Sequence, residues 1–101
     1  MPVEHQEEQT RFVIDVEGEE AELAYVLPGP RIMDIQHTYV PEGARGHGLA
    51  EELAQAAFDY AREKKWKVVP TCPFIRTWLR AHPDEAALVD VRYASVIVAG
   101  K

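Results

Sequence analysis

The chain has 101 residues, 47% of them hydrophobic, which is enough for one domain with one core and leaves no room for a second. Seventeen acidic against eleven basic residues give a formal net charge of −6, which argues against a nucleic-acid partner, because phosphate backbones are gripped by clustered cations. A cationic acceptor suits that balance better. The single cysteine, Cys72, excludes an internal disulfide framework. No apolar run is long enough to span a bilayer, and the opening Met-Pro-Val-Glu-His-Gln-Glu-Glu has neither the basic nor the apolar part of a secretory signal. The expectation is a cytoplasmic protein with no membrane partner.

Residues 1 to about 10 are polar and expected to be loose. From Arg11, the alternation of Phe12, Ile14 and Val16 with Val13 and Asp15 predicts a strand ending near Gly18. Glu17-Gly18-Glu19-Glu20 reads as a hairpin turn, followed by a second strand in which Leu23, Tyr25 and Leu27 alternate with Glu22, Ala24 and Val26. Pro28-Gly29-Pro30 closes it. In the third strand, Arg31 to Val40, strict alternation places Met33, Ile35, His37 and Tyr39 on one face and Asp34, Gln36 and Thr38 on the other.

After a glycine-bearing loop, Leu49, Leu53, Ala56, Ala57 and Tyr60 recur at helical spacing, with Glu51, Glu52, Gln55, Asp59 and Arg62 turned outward. Acidic residues open this helix and Arg62, Lys64 and Lys65 close it, as the helix dipole favours. Trp66-Lys67-Val68-Val69-Pro70 predicts a short strand parallel to the third, joined to it through the helix as a crossover. A second helix runs from Pro73 to His82, with Phe74, Ile75, Trp78 and Leu79 as its apolar stripe and His82-Pro83 as its stop. The stretch from Asp84 to Lys101 is open between one or two strands and an arm docking on another subunit, and Val96-Ile97-Val98 would make a homodimer edge.

The loop Val40-Pro-Glu-Gly-Ala-Arg-Gly-His-Gly-Leu-Ala50 carries one cation and three residues with little or no side chain at a helix start, where unpaired N–H groups and the dipole favour an anion. It has no Gly-Lys-Ser/Thr of a Walker loop and no second strand-helix unit of a dinucleotide fold. Arg45-x-x-Gly48-x-Ala50 instead resembles the acetyl-CoA pyrophosphate loop of the GNAT superfamily of N-acetyltransferases. The resemblance extends to His37-Thr38-x-Val40, Val68-Val69-Pro70-x-Cys72-Pro73-Phe74 and Trp78-x-x-x-His82-Pro83, covering roughly residues 10 to 85, in the order found in a compact, single-domain branch.

That resemblance implies an α+β (α/β) fold: a mixed, mostly antiparallel sheet with two helices and one parallel crossover, in one domain over residues 1–101. It implies acetyl-CoA as cosubstrate. The backbone of Arg45, Gly46, His47, Gly48, Leu49 and Ala50 would hold the pyrophosphate, and Thr38, Tyr39 and Val40 would contact the pantetheine arm. The side chain of His47 reads as a solvated turn residue.

Cys72 precedes Pro73 at a helix start, a position that favours thiolate. It could accept the acetyl group, line the thioester pocket, or be a buried structural thiol. The resemblance makes it a candidate catalytic residue. His37 could be a general base toward an amine, or a satisfied core histidine. His5, His37, His47 and His82 show no metal-ligand spacing, so no metal is expected. The function expected is N-acetyl transfer to an unidentified primary amine, directly or through Cys72, with a CoA-binding or interaction module lacking turnover as the alternative.

Overall fold

At the first hairpin, Glu17 and Gly18 both take positive φ, 53° and 89°, the twist that lets a two-residue turn join antiparallel strands. That turn fixes the pairing of Arg11–Val16 with Glu19–Gly29 from Val16 opposite Glu19 onward. A computed structural model of the chain describes residues 2–93. Its elements are β1 (Glu4–Gln6), β2 (Arg11–Val16), β3 (Glu19–Gly29), β4 (Ile32–Tyr39), α1 (Leu49–Lys64), β5 (Lys67–Pro70) and α2 (Pro73–Ala81), with short 3-10 turns between them. The strands form one five-stranded sheet in the order β1-β2-β3-β4-β5, antiparallel except for the parallel β4–β5 pair. This is the mixed α+β arrangement expected.

Both helices pack on the same sheet face. Ile14, Leu23, Met33 and Ile35 are fully buried there beneath Leu53, Ala54, Ala57, Phe58 and Ala61 of α1 and Ile75 and Leu79 of α2. The buried stripe of α1 is turned relative to the one expected, since Ala54, Phe58 and Ala61 are inside while Ala56 and Tyr60 stand half-buried at its rim. Phe58 meets Trp78 of α2, ring centroids 5.1 Å apart. The Tyr60 hydroxyl instead reaches out to donate to Glu7 at 2.6 Å. Burial and that carboxylate push the phenol up to about 12.

Residues 1 to about 10 were expected to be loose, and the structure corrects this: Glu4–Gln6 form an edge strand on β2. Its anchor is aromatic. The His5 ring stacks on Phe12 at 4.0 Å, and its Nε2 lies 2.6 Å from the Tyr25 hydroxyl.

The second correction lies at the end of β3. Pro28-Gly29-Pro30 does not close the strand, which runs through Gly29, and the chain turns at Pro30 and Arg31, the latter at φ 65°. A register shift between Val26 and Gly29 ends the alternation, so Val26 and Leu27 are both exposed.

The third correction decides the site. Tyr25 pairs with Ile35 but Ala24 pairs with His37, leaving Gln36 as an extra residue on β4, a β-bulge. Before it, Met33 and Ile35 face the core; after it, Thr38 stands opposite buried Leu23, and His37 and Tyr39 point to the other face, where both are exposed. Met33, Ile35, His37 and Tyr39 therefore do not share a face, because a one-residue shift reverses every side chain beyond it.

Past α2, the chain makes a single parallel bridge, Val89 to Val68 of β5, and the Asp90 N–H donates to the Val68 carbonyl at 2.9 Å. Val96-Ile97-Val98, the expected dimer edge, lies outside the described residues. No helix among the described residues is long and apolar enough to cross a membrane.

Candidate functional site

Between β4 and α1 the chain makes a short 3-10 turn, Glu42–Ala44, and then Arg45 extends at φ −71° and ψ 152°. The Arg45 Nε donates to the Val40 carbonyl at 2.9 Å, tying the two ends of the loop together. Gly46 and Gly48 follow at φ 88° and 76°, left-handed conformations that cost glycine little and any other residue more. A Cβ on either would meet nothing within 4 Å. The space beside both backbones is open.

The first bond of α1 runs from the Glu52 N–H to the Gly48 carbonyl at 3.1 Å. Among the described residues, none of the backbone N–H groups from Gly46 to Glu51 has an acceptor. Gly46, Gly48, Leu49, Ala50 and Glu51 join Val40, Ala44 and Arg45 around a concavity of about 470 Å³. Unpaired donors at a positive helix end, with a guanidinium beside them, suit an anion. The Glu51 carboxylate at the rim opposes that in part. His47 does not line this concavity; it borders a neighbouring hollow of about 380 Å³ with Glu17 and Glu52.

From this loop β4 leads back to the place where two strands part. Parallel pairing ends at Ile35 opposite Pro70, and the last rung is the Cys72 N–H donating to the Ile35 carbonyl at 2.9 Å. Beyond it, Gln36 to Tyr39 have no β5 residue opposite them, because the chain turns into α2. Cys72 is the residue before α2, buried, with Pro73 in the first turn. Its Sγ lies 3.6 Å from Thr38 Oγ1. Arg76 braces the turn, donating to the carbonyls of Pro70 and Thr71 at 3.3 and 3.1 Å.

The bulge thus brings Thr38 to Cys72 and turns His37 away from it. His37 Nε2 lies 3.0 Å from Glu22 Oε2, and the other oxygen of Glu22 accepts from Arg11 Nη1 at 2.7 Å. Arg11, and then His37, hold the Glu22 carboxyl below its ordinary range. Tyr39 is exposed, and Val40, half-buried, offers its carbonyl to Arg45. Among the described residues no group of three or more His, Cys, Asp or Glu could hold a metal ion.

Two participants escaped the sequence reading. The Thr38 hydroxyl was expected to matter only through its backbone, and the bulge that aims it at Cys72 has no glycine or proline to announce it. Glu22 was read as a plain outward residue. Counting register from the Glu17-Gly18 turn puts it beside Arg11, but its place next to His37 again depends on the bulge.

The sequence profile of the GCN5-related N-acetyl-transferase family matches residues 11–89, from the start of β2 to the bridge at Val89. The chain belongs to this family. It is similar to Protein NATD1 of Gallus gallus and of Homo sapiens, 39% identical to each over 83 residues, with 80% of this chain aligned to 76% and 74% of theirs. Its fold is similar to the solution structure of a GCN5-like protein from Staphylococcus aureus, with a TM-score of 0.71 and 25% identity over 88% of this chain and 87% of that one. N-acetyl transfer is the chemistry of the GCN5-related family, and both the unpaired loop and the parting strands fall inside the matched region.

Proposed function

We propose that this chain binds acetyl-CoA through the loop between β4 and α1 and transfers its acetyl group to a primary amine. The observation that carries this reading is the run of unpaired N–H groups from Gly46 to Glu51, beside two glycines that leave the approach open. Backbone N–H groups from Arg45 to Ala50 would grip the diphosphate. The unpaired edge of β4 at Thr38, Tyr39 and Val40 would receive the pantetheine arm as an added strand does, ending beside Cys72.

Acetyl-CoA supplies an acyl carbon activated as a thioester. In direct transfer, the chain's task is to hold the neutral amine within attacking distance, with His37 taking the proton that leaves nitrogen as the N–C bond forms and the C–S bond breaks. In transfer through Cys72, its sulfur, as thiolate, takes the acetyl group first and yields it to the amine in a second step. The Thr38 hydroxyl is placed to donate to that thiolate.

Titration with acetyl-CoA should move the amide signals of Gly46 through Ala50 selectively, and thiol release with a panel of amines should identify the acceptor class. Unmoved amides at millimolar cosubstrate end the reading. A mass increase on Cys72 supports the covalent route, while an unlabelled Cys72 and undiminished turnover by Cys72→Ser leave the direct one. Binding without thiol release favours a CoA-binding module, a reading that the open outer face of the sheet keeps in play, since no described helix covers it to shape an acceptor pocket.

A further inference from the structure

The outer face of the sheet holds a hydrogen-bonded line across three strands. Arg11 of β2 and His37 of β4 stand opposite Ala24 of β3 from its two sides. Ala24 is too small to separate them, and Glu22, two residues along β3 on the same face, fills the gap. One of its oxygens accepts from Arg11 at 2.7 Å and the other lies 3.0 Å from His37 Nε2. Arg11 is itself fixed by Gln6 Oε1 at 2.7 Å and by the Glu20 carboxylate at 3.2 Å. Glu22 is therefore clamped from both sides.

An ionised carboxylate only accepts hydrogen bonds, so the ring nitrogen facing Glu22 must carry the hydrogen. In a neutral imidazole the other nitrogen then holds the lone pair. Nδ1 has no partner among the described residues, and the side chain is exposed on the side of β4 from which an acceptor could approach the unpaired edge.

We propose that Glu22 is a positioning residue that, braced by Arg11, holds His37 in its Nε2-protonated tautomer and presents Nδ1 as the acceptor of the amine's proton. This rests on the acetyltransferase reading above. The balance is simple: nitrogen bonds to the acetyl carbon, the C–S bond breaks, the departing thiolate keeps the electron pair, and the amine's proton moves to Nδ1. Glu22 stays ionised and faces the imidazolium so formed, as the carboxylate of a catalytic triad does.

Long-range nitrogen–proton NMR of the histidine rings should show Nε2-protonated His37 in the wild-type chain and a mixed or reversed tautomer in Glu22→Gln. Glu22→Gln should lower kcat on the order of tenfold, a fraction of the roughly 10²–10⁴ that a positioned base supplies, with the Kd for acetyl-CoA unchanged. Glu22→Asp should recover part of the loss. A wild-type His37 protonated on Nδ1, a tautomer indifferent to Glu22→Gln, or an unchanged kcat in that variant would each overturn the proposal. A wild-type chain that binds acetyl-CoA but transfers to no amine fails the acetyltransferase reading and removes the proton-acceptor role with it, while the spectra still decide whether Glu22 sets the tautomer.

Discussion

The two faces of the sheet obey different rules although they are made by the same strands. The helix-covered face is a continuous apolar layer in which Ile14, Leu23, Met33 and Ile35 are wholly excluded from water. The outer face is tied together by Arg11, Glu22 and His37 through charge-assisted hydrogen bonds. On β4 the two are exchanged at one residue, Gln36, so that a single insertion separates the thiol side, Thr38 with Cys72, from the imidazole side. Burial sets the stability of the first face and hydrogen-bond geometry sets the chemistry available on the second.

The difference can be broken most severely from inside. Phe58→Ala removes a fully buried ring packed on Trp78 and should cost about 3–5 kcal/mol in urea unfolding. Asp15→Ala, exposed at the edge of the outer face, should stay within about 0.5 kcal/mol. Equal losses would mean that the sheet is not one-sided. Deleting Gln36 should restore strict alternation, bury His37 and expose Thr38, at a cost of roughly 1–3 kcal/mol for the polar ring. A deletion variant as stable as the wild type, with the Thr38–Cys72 contact intact by NMR, would contradict the bulge.

Smaller effects sharpen the contrast. Gly48→Ala should cost about 1–2 kcal/mol through its left-handed backbone alone, since no atom stands in the way of the added methyl. It should also weaken acetyl-CoA binding more than it weakens folding. His5 is the subtlest case. Burial against Phe12 and Tyr60 lowers its folded pKa from 6.5, partly offset by Glu7. Its contribution to stability is therefore complete above pH 6.5 and is lost as pH falls through that value toward the folded one. Thermal melts should show this acid-side slope, and His5→Gln should flatten it.

Much of this was legible in the sequence because it is local. The Glu17-Gly18 turn, the apolar period of α1, Pro73 opening α2 and the glycines before Leu49 each state their conformation within a few residues. What was not legible depends on partners far along the chain. Gln36 is an ordinary strand residue, and only the register of β3 makes it extra. Ala54 and Ala56 are equivalent in composition, and the choice between them follows from where Trp78 stands. The polar Glu4–Gln6 segment becomes a strand because Phe12 and Tyr25 offer His5 a surface and a hydroxyl. The loop's open backbone was readable from its glycines, whereas the Thr38–Cys72 and Glu22–His37 pairs awaited the three-dimensional register.

The bond from Arg45 Nε to the Val40 carbonyl makes that arginine a strut as well as a charge. Its planar group can bridge the loop with one nitrogen while two others keep hydrogens to offer, a division of labour that the single ammonium of lysine cannot reproduce. Replacement by lysine, nominally the mildest exchange of cations, should therefore slacken the curve of the loop, which reaches the helix start only through this crosspiece.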